Sequence, residues 1–211
     1  MKKIDVLYNL SKGGLAPTQG YELDYAYDVY ANKGVLVPPL TFKSVRIHTG
    51  IRTAFDPEIT GLMANLRSGI AANTPLILSN GTGIIEGTYR GEIQILVRNT
   101  FIDNSLVDFV LTVKGEKVPV SKLPKEVLEE ARRFYEEETA LLGYEGIDKT
   151  VQQIAYKTVV PRGTLYIQKN ERVAQLSLSD KFSINWIEAD TLPESVRMEG
   201  GLGSSGVTNG K

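Results

Sequence analysis

The sequence predicts an all-β fold, and three observations lead to it. Most of the 211 residues fall into short runs rich in β-branched and aromatic side chains. Gly, Pro, Asn and Asp separate these runs at short intervals, which is typical of a sandwich or barrel. Strands and helices do not alternate over ~30 residues, which argues against a parallel α/β sheet. The predicted strands are 4–8, 44–48, 61–66, 76–79, 92–97, 107–113, 164–168, 172–178 and 183–188.

One segment has the periodicity of a helix instead. Between 124 and 142, apolar residues recur at helical spacing and charged residues occupy the other side. Pro124 precedes this run and Gly143 follows it, as helix termini prefer. We therefore predict one α-helix at about 124–142, inside an insertion that spans 99–162.

The insertion divides the rest of the chain into a β core and a tail. Residues 1–98 and 163–196 form the predicted core. Residues 197–211 are rich in glycine and are predicted to be a flexible C-terminal lid. Composition alone also fits a disordered tail or a linker.

Composition and charge exclude several kinds of partner and chemistry. Lys and Arg total 24 against 25 for Asp and Glu, which argues against a nucleic-acid partner. Cysteine is absent, so disulfides, thiolate metal sites and Cys nucleophiles are excluded together. No apolar run approaches the ~18 residues of a membrane helix, and charge recurs too early for a signal peptide. We expect a soluble, cytoplasmic protein (host cytoplasm if viral), with no membrane partner.

Five short segments carry polar residues that can act on a phosphate chain. In the first, Asp28 lies between apolar residues, where a carboxylate either holds a turn or anchors Mg²⁺, which takes oxygen ligands. In the second, Arg67, Ser68 and Gly69 follow a predicted strand. They offer a guanidinium, a hydroxyl and a flexible backbone to phosphate. An ordinary surface loop is the alternative.

The third segment, 80–93, places a turn-rich centre between two apolar runs, which predicts a β-hairpin. The hairpin backbone can read the edge of a pyrimidine, and Tyr89 can lie flat against a sugar. Glu86 can act as a general base toward a water within hydrogen-bond reach. The alternative is a hairpin with Tyr89 in the core and Glu86 in solvent.

The fourth and fifth segments add an amide, a guanidinium and glycine-rich backbone. In the fourth, 171–176, strand alternation puts Arg172 and Gln175 on opposite faces. Gln175 is costly to bury without a partner, which a ligand phosphate or a neighbouring backbone can supply. The fifth, 197–206, combines Arg197 with glycines and two serines, which can wrap a triphosphate and order as it binds.

In this order, the five segments resemble the five motifs of the trimeric dUTPase family. The most specific feature is an acidic residue three places before the run Tyr-Arg-Gly-Glu at 89–92. The resemblance extends from 26 to 206, with a gap across the insertion. It implies a jelly-roll-like β-barrel or sandwich with one inserted α-helix, and a homotrimer with three sites at subunit interfaces. It also implies Mg²⁺-assisted hydrolysis of dUTP to dUMP and pyrophosphate, which limits uracil in DNA and supplies dUMP.

The resemblance also implies a role for each site residue. Glu86 would activate the water that attacks the α-phosphorus, and Asp28 would help to hold the metal through water. The other expected contacts are Arg67, Ser68, Gly69 and Gln175 to the phosphates, Asn80, Gly83, Ile85 and Tyr89 to the nucleoside, and Arg197, Leu202, Gly203, Ser204 and Ser205 in the closing lid.

Three positions depart from the family pattern. Glu86 stands where the family normally has Asp, and the extra methylene moves the carboxylate by about 1.5 Å. Either the site is remodelled around Glu86, or such a shift slows the enzyme. Leu202 stands where an aromatic residue usually stacks over the base, and Ala26 replaces a glycine. The insertion is also longer than in most members, and it is either decoration or a module for a protein partner, as in some phage dUTPases that the chain resembles.

Two other functions stay open from the sequence. A dCTP deaminase of the same superfamily would share the trimer and the triphosphate contacts. A nucleotide-gated regulatory protein with weak or no turnover would use the insertion as its working surface. His48, the one histidine, is expected to be a packed or surface residue and not a ligand.

Overall fold

The computed structural model describes residues 3–103, 105–143 and 149–195. The chain divides into two compact units, residues 1–181 and residues 182–211. All helices and strands of the described residues lie in the first unit. In the second unit, residues 182–195 form neither helix nor strand.

The first unit is built mostly from short strands, which confirms the all-β prediction. The strands are β1 Leu7–Leu10, β2 Tyr27–Tyr30, β3 Val35–Val37, β4 Val45–His48, β5 Ile51–Ala54, β6 Thr60–Leu66, β7 Leu76–Leu78, β8 Gly83–Ile85, β9 Gln94–Asn99, β10 Leu106–Val107, β11 Phe109–Thr112, β12 Lys117–Pro119, β13 Val160–Pro161, β14 Leu165–Ile167 and β15 Arg172–Asp180. The helices are α1 Ser68–Asn73, α2 Lys125–Leu142 and α3 Lys149–Ile154, with a 3₁₀ turn at Val120–Lys122.

Three sheets of three or four strands enclose the main core. Their strand orders are β12-β11-β14-β3, β2-β15-β6-β8 and β4-β9-β7, and β1-β5 and β10-β13 form two-stranded pairs. Alternate residues of β4 and β9 point inward, so that Ile47, Ile95 and Val97 are almost wholly buried. Burial of this apolar surface, at roughly 25 cal/mol per Å², is the main stabilising contribution.

Helix α2 packs beside this core over a second apolar cluster. It buries Val127 and Ala131 in that cluster, and its buried Glu138 accepts a hydrogen bond from the Lys43 amide. The helix begins after Pro124 and ends at Gly143, whose φ of 66° is the left-handed conformation that glycine adopts without a steric cost. These are the ends that the sequence predicted.

Segment 99–162 contributes to the sheets as well as to the helices. Strand β11 lies in this segment and pairs in parallel with β14 of the predicted core. The assignment of 99–162 as an insertion on a core of 1–98 and 163–196 stays a prediction.

Three predictions of secondary structure were wrong. The runs on either side of 86–92 do not pair as a hairpin, because β8 pairs with β6 in one sheet while β9 pairs with β4 and β7 in another. Residues 183–188 form no strand and are exposed, since a strand needs a hydrogen-bonded neighbour and not only β-prone residues. The expected single helix is joined by the shorter α1 and α3.

Among the described residues, no helix has both the length and the apolar character that a membrane crossing requires.

Candidate active site

A polar cavity of about 350 Å³ lies where three distant segments of the first unit meet. One part of the chain leads into β2, another follows β6, and the last is the start of β15. They are brought together because β15 pairs with β2 on one side and with β6 on the other. The lining residues are Gly20, Tyr21, Asp24, Ala26, Asp28, Arg67, Arg172 and Gln175.

Asp28 is the centre of this cavity and is only 3% exposed. Arg67 Nε donates to its Oδ1 at 2.8 Å, and Arg172 Nη1 donates to its Oδ2 at 3.2 Å. Gln175 Nε2 also donates to Oδ1, at 3.2 Å. A buried carboxylate is costly unless it is paired and hydrogen-bonded, and here both oxygens have partners. Gln175 therefore has the Asp28 carboxylate as a partner and not a neighbouring backbone, and its contact with a ligand phosphate stays a prediction.

A β-bulge brings Arg172 and Gln175 into the same cavity. Arg172 lies opposite Tyr30 and Ala174 lies opposite Val29, so Val173 is an extra residue in the ladder. A bulge interrupts strict alternation and re-aims side chains. The prediction that Arg172 and Gln175 lie on opposite faces was wrong for this reason.

Ser68 and Gly69 follow Arg67 directly and form the first turn of α1. Both residues are exposed, and nothing lies within 4 Å of the position that a Cβ at Gly69 would take. Arg67 has extended backbone angles, φ −63° and ψ 142°, before the helix begins. Residues 67–69 therefore follow β6 directly, as the sequence predicted, and Ser68 and Gly69 begin a helix and not an ordinary surface loop.

The third segment forms a braced turn after β8. Tyr89 N donates to Glu86 O at 3.0 Å, and Arg90 Nη1 donates to the carbonyl oxygens of Gly87 and Tyr89 at 2.6 and 3.0 Å. A Cβ at Gly87 would lie 2.5 Å from the carbonyl oxygen of Phe55, so only glycine fits there. These contacts hold the turn and leave the side chains of Glu86 and Tyr89 exposed.

The nucleoside contacts expected in this segment lie just before that turn. Asn80 is exposed in the turn after β7, whereas Gly83 and Ile85 begin and end β8. Ile85 is buried, so that its backbone and not its side chain is available to a ligand. The roles of these residues stay predictions.

One chain does not bring the third segment to the cavity. Ile85, at the end of β8, pairs with Leu62 of β6. Arg67 lies five residues after Leu62, just past the end of β6. At ~3.3 Å per strand residue, the two positions are separated by about 17 Å. Glu86 and Tyr89 are not among the residues that line the cavity. Asp28, Arg67 and Gln175 are therefore assembled within one chain, and Glu86 and Tyr89 are not assembled with them.

Glu92, at the end of the third segment, supports the start of β5. Its Oε1 accepts from the Gly50 amide at 2.7 Å, and its Oε2 lies 2.8 Å from His48 Nδ1. Burial alone would raise the pKa of Glu92, but the hydrogen bonds from His48 and Gly50 outweigh it, so that the pKa lies below its ordinary value. His48 is half-buried and packed against Glu92 in this pair, and the expectation that it is not a ligand stays a prediction.

Sequence reasoning gave no role to Arg172, Asp24 or Glu92. The position of Arg172 in the cavity was missed because an alternating sequence pattern does not reveal a β-bulge. Asp24 lies in a tight turn, where its Oδ2 accepts from the Tyr21 amide at 2.9 Å. The one available signal was the cluster of turn formers around Gly20, which also fits an ordinary loop.

The predicted lid residues lie outside the described residues. These are Arg197, Leu202, Gly203, Ser204 and Ser205.

The chain is similar to known dUTPases in sequence and in fold. A family model described as dUTPase matches residues 14–108. The deoxyuridine 5'-triphosphate nucleotidohydrolase of Clostridium kluyveri is 31% identical over 127 residues, which span 57% of this chain and 83% of that protein. The dUTPase of Staphylococcus bacteriophage 80alpha with dUPNHPP has a TM-score of 0.70 at 23% identity, covering 96% of this chain and 99% of that one.

A second similar structure is of a dUTPase that coordinates a metal ion. A mutant dUTPase from phage phi11 of S. aureus, which coordinates a structural Mg(II) ion, has a TM-score of 0.64 at 18% identity and covers 90% of this chain and 99% of its own. At these identities the two structures establish the fold, and the match to the Clostridium kluyveri protein establishes the relationship. The chain belongs to the dUTPase family.

Proposed function

We propose that this chain hydrolyses dUTP to dUMP and pyrophosphate in the presence of Mg²⁺. The observation that carries the proposal is the cavity in which Asp28 gathers Arg67, Arg172 and Gln175 from three separate segments. Two guanidinium groups and an amide converge there, and guanidinium groups match phosphate oxygens through paired N–H donors.

The phosphate chain binds at the open side of this cluster. Asp28 engages one nitrogen of Arg67 and one of Arg172, which leaves further N–H groups of each guanidinium for phosphate. Asp28 also neutralises part of the positive charge, so the arginines stay aligned without a ligand. Ser68 and Gly69, exposed beside Arg67, offer a hydroxyl and a backbone amide.

The donor set of the cavity fits Mg²⁺ held largely by substrate and water. Asp24 and Asp28 supply carboxylate oxygens to one cavity, and no group of three or more metal-ligating side chains occurs within the described ranges. Direct coordination by Asp28 would compete with its two guanidinium partners, so contact through water fits better. Mg²⁺ keeps several waters and binds substrate phosphates through few protein carboxylates. When bound, it would offset negative charge on the phosphates.

Glu86 is the proposed base. Its exposed carboxylate takes a proton from a water, whose oxygen forms a bond to the α-phosphorus. The bond between the α-phosphorus and the bridging oxygen breaks in line, and pyrophosphate leaves. Tyr89, exposed on the same braced turn, packs on the deoxyribose, and Asn80 with the backbone of Gly83 and Ile85 reads uracil.

The site is proposed to form between copies of the chain in a homotrimer. The separation of about 17 Å between the Glu86 turn and Arg67 supports this assembly, because Glu86 and Tyr89 do not line the cavity of their own chain and a second copy can supply them. The second unit supports it independently. Residues 182–187 of that unit include two aromatic and two aliphatic side chains that are 69–86% exposed, and an exposed apolar patch marks an interaction surface. Arg197, Leu202, Gly203, Ser204 and Ser205 would close the site as a lid.

A protein partner that binds through 99–162, a cytoplasmic location and a phage origin stay predictions.

The test is pyrophosphate release from dUTP with Mg²⁺, beside dCTP, dTTP and UTP. We expect turnover of dUTP alone, its loss in Glu86→Gln, and retained turnover in Glu86→Asp, which restores the residue usual in the family. Glu58→Gln, which alters an exposed carboxylate elsewhere, is the matched control. Undiminished turnover in Glu86→Gln would remove Glu86 as the base, and release of ammonia from dCTP would favour the deaminase alternative.

A further inference from the structure

A second and larger cavity lies between helix α2 and the outer face of strands β4 and β9. Its volume is about 680 Å³, within the range of roughly 300–1,000 Å³ that small-molecule sites occupy. It shares no lining residue with the cavity around Asp28. Four cationic side chains and two carboxylates line it, together with His48 and several apolar groups. The charged residues are Lys43, Arg46, Arg98, Arg133, Glu130 and Glu137.

Both carboxylates of this cavity are already paired with lysines. Glu130 accepts from Lys33 at 2.7 Å, and Glu137 lies 3.9 Å from Lys43. Arg46, Arg98 and Arg133 form no ion pair with a carboxylate anywhere in the described part of the chain. The cavity therefore keeps an excess of positive charge.

The three arginines reach the cavity from opposite walls. Arg46 pairs with Leu96 across β4 and β9, and Arg98 lies two residues beyond Leu96 on the same outward face. Arg133 comes from α2 on the facing wall. Arg98 Nη2 donates to the Phe42 carbonyl at 2.9 Å, which fixes its position and leaves its other N–H groups available.

Apolar groups lie between these charges. Leu96 and Phe134 are partly buried, and Phe42 is 59% exposed at the rim. A flat ring can pack on such a surface while its charged substituent reaches the guanidinium groups. A simple inorganic anion would leave this apolar surface uncovered.

We propose that this cavity binds a nucleoside di- or triphosphate, with the phosphates on Arg46, Arg98 and Arg133 and the ring on Leu96 and Phe134. The inference goes beyond dUTP hydrolysis and does not depend on it. Because the ligand would contact both walls, it would tie α2 to the β4–β9 face and raise the melting temperature of the first unit.

The test is calorimetric titration of the full chain with ATP at 0.15 M salt, beside AMP and inorganic pyrophosphate. We expect ATP to bind more tightly than either, because only ATP offers both a ring and several phosphates. Arg46→Gln and Arg133→Gln should each weaken ATP binding about tenfold, the loss of one charge-assisted hydrogen bond. Lys125→Gln, which removes an exposed charge of α2 outside the cavity, is the matched control.

Several results would overturn the inference. They are no detectable ATP binding, equal weakening in Lys125→Gln, or pyrophosphate binding as tight as that of ATP. Arg67→Gln distinguishes the two cavities. It should weaken the binding of a non-hydrolysable dUTP analogue at the Asp28 cavity and leave the affinity for ATP unchanged. A loss of ATP binding in Arg67→Gln would place ATP in the dUTP cavity and refute the second site.

Discussion

Asp28→Asn tests whether one buried carboxylate organises the cavity. The substitution keeps the shape of the side chain but removes its charge. It also replaces one acceptor oxygen by an NH₂ group, which then faces a guanidinium donor or the Gln175 amide. We expect the variant to be less stable than the wild type and to bind the phosphates of dUTP less tightly.

The size of the loss follows from burial. Removing one partner of a fully buried ion pair costs about 3–5 kcal/mol. Here Asp28 is buried, but the side chains of Arg67 and Arg172 are 29% and 49% exposed and can rehydrate. We therefore expect about 2 kcal/mol. For a unit of this size, that lowers the melting temperature by about 4–8 °C.

Two measurements check this expectation, thermal unfolding and steady-state kinetics with dUTP. The arginines hold the phosphates before and during reaction, so KM should rise about tenfold while kcat changes less. Glu58→Gln serves again as the control for loss of a carboxylate at an exposed position. A melting temperature within about 1 °C of the wild type, with KM unchanged, would refute the claim that Asp28 positions Arg67 and Arg172.

Two further predictions concern the third segment. Gly87→Ala should destabilise the fold by about 1–3 kcal/mol, because the new Cβ would lie 2.5 Å from the Phe55 carbonyl oxygen. Gly61→Ala, whose Cβ would meet nothing within 4 Å, is its control in thermal unfolding, and equal losses would contradict the steric account. The prediction for Glu92→Gln rests on the pKa of Glu92, which in the folded protein lies below its ordinary value of 4.5. The charge of Glu92 therefore stabilises the fold above about pH 4.5, and this contribution is lost as pH falls through the folded pKa. The melting temperatures of the wild type and Glu92→Gln should converge between pH 7 and pH 3, and a constant difference would be inconsistent with this account.

The pattern of apolar and polar residues within short stretches of sequence was sufficient to predict most of the strands and the long helix. Strands such as β4 and β6 were predicted to within a residue or two, because one buried face imposes a period of two on the sequence. Helix α2 was predicted with both of its ends, since Pro124 and Gly143 act through their own backbone preferences. The order of the five polar segments was also enough to indicate the family.

Pairing between distant segments could not be predicted in the same way. Residues 183–188 have the composition of a strand, yet no strand forms there, because hydrogen-bonded neighbours are a property of the fold. The runs around Glu86 were expected to pair with each other, and instead they enter different sheets.

By itself, the sequence determined that this protein is built from short strands, that one long helix lies at about 124–142 and that its polar segments resemble those of dUTPases. Only the tertiary structure decided that Asp28 holds Arg67 and Arg172, which are 39 and 144 residues away along the chain. It also decided, through a bulge at Val173, that Arg172 and Gln175 share one cavity. The reason is that periodicity and end preferences act over a few residues, whereas ion pairs and bulges depend on which strands become neighbours.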